Sequence, residues 1–238
     1  MVTFLGIDLG WYGKPTGLAS LRLDSGELRL RSLTRIEDLG EIFAWVREQT
    51  GEGDAVAAVD APLVIPNAAG IRQGERELNR DFQKHHAGCH PANLGRPFAA
   101  YVTAFSRSLE AVGFRHGPGM TAKAPGRYQI EVHPHAAAVS MFGLDRIVKY
   151  KKGNRNEKAG ELNRLRGLCL AHFPGFAPGL TVELPEVPEK GPTKTAEDQI
   201  DAVICAYIAA HWWYWGRERN RVYGDGDGGF IVVPQPGV

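Results

Sequence analysis

The sequence predicts an α/β fold, and three observations carry that expectation. An apolar, β-rich opening run, Val2-Thr-Phe-Leu-Gly-Ile-Asp8, is followed by two further strand-like runs joined by a short turn. A segment of helical period then leads into Ala55-Val-Ala-Ala-Val59, a short apolar run of the kind buried on both faces of a sheet. Lastly, Tyr128-Gln-Ile-Glu-Val-His133 reads as a fifth strand, and helical patterns follow it to about Trp215. The predicted order is three strands, helix, strand, insertion, strand and helices, folded as one domain over residues 1–238.

The first strand ends at Asp8, and Gly17 to Leu23 forms the second. Asp24-Ser-Gly26 supplies turn residues, after which Leu28 and Leu30 alternate with charged positions in a third strand over Glu27 to Leu33. Between Glu37 and Gln49, positions Leu39, Ile42, Phe43 and Val46 share one helical face, and Gly51-Glu-Gly53 stops the helix. The fourth strand, Asp54 to Asp60, is closed by Ala61-Pro62. Residues 66–127 read as a helical insertion with helices over about 73–84 and 98–113. After the fifth strand, Pro134 opens a helix to Phe142, a polar helix covers 155–172, and a Pro-rich connector spans 174–192. Thr195 is placed to cap the last helix, Gly224 to Gly229 reads as a hairpin turn, and Phe230 to Pro234 as a final short strand.

The 238 residues carry 28 Lys and Arg against 27 Asp and Glu, so a net charge of +1 provides no bulk field for a polyanion or a membrane surface. Any charged partner must be met by a local patch. Three widely spaced cysteines, Cys89, Cys169 and Cys205, suit a reducing, cytoplasmic setting better than a disulfide framework. No basic leader followed by an apolar run opens the sequence, so no signal segment is expected. Ala202 to Trp215 is apolar over 14 residues, short of the roughly 18–20 that span a bilayer, and reads as a buried helix with no membrane partner. Trp212, Trp213 and Trp215 at its end serve packing or a homo-oligomer contact.

Chemistry-bearing residues fall at the ends of these elements. Asp8 and Asp60 each terminate an apolar strand, at the carboxyl edge where open α/β sheets place their sites; a hydrogen-bonded loop residue or a turn cap is the plainer alternative for each. Glu131 alternates with Ile130 and Val132, which an exposed strand face would also allow. At about 100° per residue, Asp201 lies between Trp212 and Ile208 and Asp198 flanks it, so both acids extend the apolar stripe and point at the sheet. Helix-dipole preference accounts for acids in an N-terminal turn but not for that direction. Clustered carboxylates repel unless a cation lies among them, and all-oxygen ligation suits Mg²⁺ or Mn²⁺. Two such ions would activate a water and stabilise the leaving oxygen in phosphodiester hydrolysis.

Taken together, Gly6-Ile-Asp-Leu9, Val59-Asp-Ala-Pro62, Glu131-Val-His-Pro134, Tyr150-Lys-Lys-Gly153 and Asp198-Gln-Ile-Asp-Ala-Val-Ile-Cys-Ala206 resemble the predicted-nuclease family called domain of unknown function 429, over nearly the whole chain. That family is similar to the ribonuclease H-like superfamily. The resemblance implies a mixed five-stranded sheet in the order 3-2-1-4-5 with strand two antiparallel, flanked by helices. It also implies a divalent-metal-dependent nuclease with catalytic acids Asp8, Asp60, Glu131, Asp198 and Asp201, of which Asp8, Asp60, Asp198 and Asp201 are metal ligands. The sequence departs from ribonuclease H itself, which takes a ligand from a helix-A glutamate.

Charge is segregated along the chain. Residues 145–166 hold eight basic residues against three acidic ones, a local +5, whereas 183–201 hold six acids and two lysines, a local −4. Lys149, Lys151, Lys152 and Arg155 are therefore candidates for contacting the phosphates of DNA or RNA, with a solvated helix face as the alternative. His133 and His135 follow Glu131; a structural histidine is the plainer reading, and a proton shuttle at His133 the functional one. Two other functions fit the opening motif: an actin-like ATP-dependent kinase or ATPase, which shares a Gly-Ile-Asp-Leu-Gly strand but also needs a second phosphate hairpin not found here, and a non-catalytic nucleic-acid or protein binding module.

Overall fold

The computed structural model describes residues 1–11 and 14–235. Strands β1 (Thr3–Asp8), β2 (Thr16–Asp24) and β3 (Glu27–Ile36) form an antiparallel meander. Helix α1 (Leu39–Thr50) is capped by Asp38, whose carboxylate accepts a hydrogen bond from the Glu41 N–H at 2.9 Å. It leads into β4 (Ala55–Val59), which pairs parallel with β1. Then come α2 (Gln73–Phe82), α3 (Ala99–Ala111), β5 (Arg115–His116), β6 (Arg127–Glu131), α4 (Pro134–Phe142) and α5 (Arg155–His172). The chain continues through β7 (Gly179–Leu180) and α6 (Lys194–Trp215) to the hairpin β8 (Asn220–Asp225) and β9 (Gly229–Pro234).

The main sheet has seven strands in the order β5-β6-β4-β1-β2-β3-β7. Its central five, β3-β2-β1-β4-β6, reproduce the expected arrangement, with β2 antiparallel to both neighbours. The full order departs from 3-2-1-4-5 because the two-residue strands β5 and β7 extend the edges. Segments this short have no periodicity to read. Two other expectations need correction: β8 is a strand that was not anticipated, and Thr195 lies inside α6, which starts after Thr193.

Helices cover both faces of the sheet. On one side, α4, α5 and α6 pack on Phe4, Val56, Ile130 and Leu180. On the other, α1 and the insertion helix α3 bury Val46, Val102, Phe105 and Leu109 against Leu5, Ile7 and Val59. Leu78 and Phe82 of α2 join Tyr223, Ile231 and Val233 of the hairpin. The insertion is thus built into the core. Trp212 lies wholly buried, and its indole N–H donates to the Gly117 carbonyl; Trp213 donates likewise to Ala124, so both indoles tie α6 to neighbouring loops. No helix of the described residues is long and apolar enough to cross a membrane.

Two glycines set how α6 lies on the sheet. A Cβ on Gly6 would come within 1.9 Å of the Ala202 carbonyl oxygen, and one on Gly17 within 2.1 Å of the Asp198 carbonyl oxygen. Backbone therefore rests on backbone at both points. This close approach holds the first turns of α6, with their acids, over the ends of β1 and β2.

Candidate active site

The carboxyl ends of the central parallel strands supply the first carboxylates. Ile7 is level with Val59, and Val59 with Glu131, and the ladder runs one residue further through the Asp60 N–H to the Ile7 carbonyl at 2.9 Å. Asp8 and Asp60 thereby emerge side by side. Each keeps a partial opening to a cleft of about 530 Å³. Among the described residues, neither carboxylate takes part in a hydrogen bond or ion pair.

Helix α6 adds Asp201 and Asp198, both buried as their helical phase requires. The Asp201 carboxylate accepts a hydrogen bond from the Tyr150 hydroxyl at 2.7 Å and meets the Lys151 ammonium at 2.9 Å. Asp198 is neutralised twice, by Arg35 of β3 at 2.7 Å and by Lys194 at 2.7 Å, four residues earlier on its own helix. Lys194 also pairs with Glu197.

The electrostatics follow from crowding. Burial, then the charge of Asp201, pushes the Asp8 carboxyl well above the usual range, and Lys151 only partly offsets this. Burial likewise raises Asp60 to about 6 against the pull of Lys151. Burial alone would lower the Lys151 ammonium. Asp201 foremost, with Tyr150, Asp8 and Asp60, outweighs that and keeps it firmly protonated. Lys151 is therefore the cation of this acidic centre.

Other sequence-derived candidates are placed differently. Glu131 is held by Arg72 through two guanidinium hydrogen bonds of 2.9 and 2.6 Å, and it also accepts the Leu63 N–H. Arg72 in turn pairs with Glu75, so the structure places Glu131 in a buried ion-pair network beside Asp60, both of its oxygens engaged. His133 and His135 are pushed down by burial to about 3 and about 4. A base that weak is mismatched to proton transfer near neutrality, which favours the structural reading of His133 over the shuttle. Lys149, Lys151 and Lys152 line a groove of about 910 Å³ with Arg146 and Arg164. Arg155 does not join them: its guanidinium donates to the Gly191 and Pro188 carbonyls and fastens the Pro-rich connector to α5. The structure thus places it as a tether of the connector, outside the groove that the three lysines line.

The model of the family described as "Protein of unknown function (DUF429)" matches residues 6–227, from the strand bearing Asp8 to the hairpin after α6. The chain belongs to the DUF429 family. No curated protein matches it.

In this DUF429 chain the metal implied by the ribonuclease H-like resemblance is tested by the donors present. Asp8 and Asp60 offer uncommitted oxygens whose mutual repulsion a hard cation would relieve, and Mg²⁺ commonly binds through one or two carboxylates while keeping its waters. They fit one such ion. Among the described residues, no three His, Cys, Asp or Glu side chains converge as a ligand set, and Asp198 and Asp201 are engaged by Arg35, Lys194 and Lys151. The four-ligand, two-ion arrangement does not fit these side chains as they stand. Arg35 and Arg72 escaped sequence reading because their partners lie 163 and 59 residues away. Lys194, at i,i+3 and i,i+4 from two acids, was legible from spacing. Trp11, which lines the acidic cleft, gave only the weak signal of a lone aromatic after Gly10.

Proposed function

We propose that this protein is a divalent-cation-dependent phosphodiesterase acting on nucleic acid, in the cytoplasm, where its three unpaired cysteines would stay reduced. One observation carries the reading. Lys151 borders both the basic groove and the acidic cleft, so a polyanion lying along Arg146, Lys149, Lys152 and Arg164 leads directly to Asp8 and Asp60.

Asp8 and Asp60 would hold a Mg²⁺ or Mn²⁺ ion, which when bound supplies Lewis-acid polarisation and a more acidic water. The protein's own groups do the rest. Lys151, anchored on Asp201 and kept protonated by its neighbours, faces the charge that builds on the non-bridging phosphoryl oxygens. Tyr150 donates to the other Asp201 oxygen and so fixes the carboxylate that fixes the lysine. Asp198 is a positioning group: with Arg35 and Lys194 it clamps the start of α6 to β3.

A panel of single-stranded, duplex and branched DNA and RNA, incubated with Mg²⁺ or Mn²⁺, tests this reading. Cleavage by the native chain is expected, with a loss of about 100-fold or more in Asp8→Asn and in Asp201→Asn. If no member of the panel is cut with either ion, the proposal fails.

A further inference from the structure

The mouth of the acidic cleft carries an aromatic platform. Trp11 follows Asp8 by three residues and is 38% exposed, next to a buried carboxylate centre. Its ring leans on that of Phe98, at the start of α3, with centroids 4.5 Å apart and a 39° tilt. Next to it, the Gly10 N–H donates to the Thr16 hydroxyl of β2 at 3.1 Å, and the Trp11 carbonyl accepts the Lys14 N–H at 3.3 Å. Trp11 lines both the acidic cleft and a smaller cavity of about 170 Å³ that also borders Asp60. Lys14, exposed and without an ion pair among the described residues, lies at the same cleft.

We propose that Trp11, backed by Phe98, is a stacking platform for an unpaired base, and that the substrate strand enters the carboxylate centre single-stranded. This rests on the phosphodiesterase reading of the same site and adds the class of strand. The physical argument is one of available faces. Inside a duplex both faces of each base are covered by its neighbours, so an interior base can lie on an indole only once it has left the stack. A cleft of about 530 Å³ falls within the roughly 300–1,000 Å³ typical of sites that enclose one small-molecule-sized group, here one nucleotide. Lys14 and Lys151, which line the same cleft, then meet the phosphates that flank the stacked base. Any base offers a π-face, so the platform selects for strandedness and not for sequence.

The test is equilibrium binding in EDTA, which separates recognition from cleavage. Fluorescence anisotropy is measured with labelled single-stranded DNA, single-stranded RNA of the same sequence, the corresponding duplexes and a competing nucleoside monophosphate. The native chain should bind at least one single strand more tightly than its duplex. Trp11→Ala should weaken that binding by about 10-fold or more and leave duplex binding unchanged. Trp11→Phe should restore most of it, which a merely displaced loop would not do. Preference for the duplex, unchanged single-strand affinity in Trp11→Ala, or competition by the monophosphate as strong as by the oligonucleotide would overturn the proposal. The DNA and RNA arms identify the strand. Trp11-dependent binding without cleavage on the panel above would remove the phosphodiesterase reading and keep the platform; cleavage of both strand types indifferent to Trp11 would do the reverse.

Discussion

At the scale of single residues, the acidic centre sacrifices stability for a charge arrangement. Asp60 is raised to about 6 by burial, above the ordinary 3.8. Its folded-state pKa therefore exceeds its unfolded one, so its contribution favours folding below about 3.8 and is lost as pH rises through about 6. At neutral pH its ionised form is a penalty of about 2–3 kcal/mol on the cation-free protein. Asp60→Asn removes the charge at nearly constant volume. In EDTA at neutral pH the variant should melt higher than the native chain by about 4–12 °C, and that advantage should shrink to nothing as the pH falls towards 4. Thermal melts of the pair across pH check this, and an Asp60→Asn chain that melts lower at neutral pH would refute it. The positions of Asp8, Asp60, Asp198 and Asp201 were legible in the sequence because strand ends and helical phase place side chains without tertiary knowledge. The arginines that engage Asp198 and Glu131 were not, because Arg35 and Arg72 reach those two acids across sequence separations that no local pattern encodes.

At the scale of elements, periodicity identified the long helices and central strands, and the physics of backbone approach decided what they present. Gly6 sits within an apolar strand where any β-branched residue would satisfy propensity better. Its function becomes visible only when α6 is laid across it, because a Cβ there would overlap the Ala202 carbonyl and come within 2.3 Å of the Ala206 nitrogen. Neither contact can be relieved by a side-chain rotation. Gly6→Ala must therefore lift α6 from β1, at a cost of about 3 kcal/mol, and carry Asp201 away from Asp8. The expected result is a fall in thermal midpoint of about 6–12 °C. Gly160, whose Cβ would meet nothing within 4 Å, is the control: Gly160→Ala on α5 should be neutral or slightly stabilising. Equal losses in the two variants, read by calorimetry, would show that contact with α6 is not the cause. The elements that the sequence hid are those with too few residues to repeat, β5 and β7, and β8, whose Asn220-Arg-Val-Tyr-Gly-Asp225 mixes polar residues with a glycine.

At the scale of the whole molecule, 28 positive and 27 negative side chains conceal a division of labour. The α5 region and the segment before it line a basic groove, while the acids of α6 turn inward to meet Lys151, Arg35 and Lys194. Strand order followed from chain order because three strands in a meander and two parallel crossovers leave few alternatives, whereas the way both clefts meet at Lys151 depended on packing. The consequence is measurable in salt. If Arg146, Lys149, Lys152 and Arg164, with Lys14 and Lys151 at the acidic cleft, each displace one counterion from a single strand, log affinity should fall with log salt at a slope of about −4. Lys149→Gln with Lys152→Gln should flatten that slope by about 1.4. Arg29→Gln with Arg47→Gln lowers the net charge by the same amount at exposed positions on β3 and α1. A local groove requires that this second pair leave the slope unchanged. A bulk-charge mechanism requires both pairs to act alike, so titrations of the native chain and the two double variants over a range of salt concentrations decide between them.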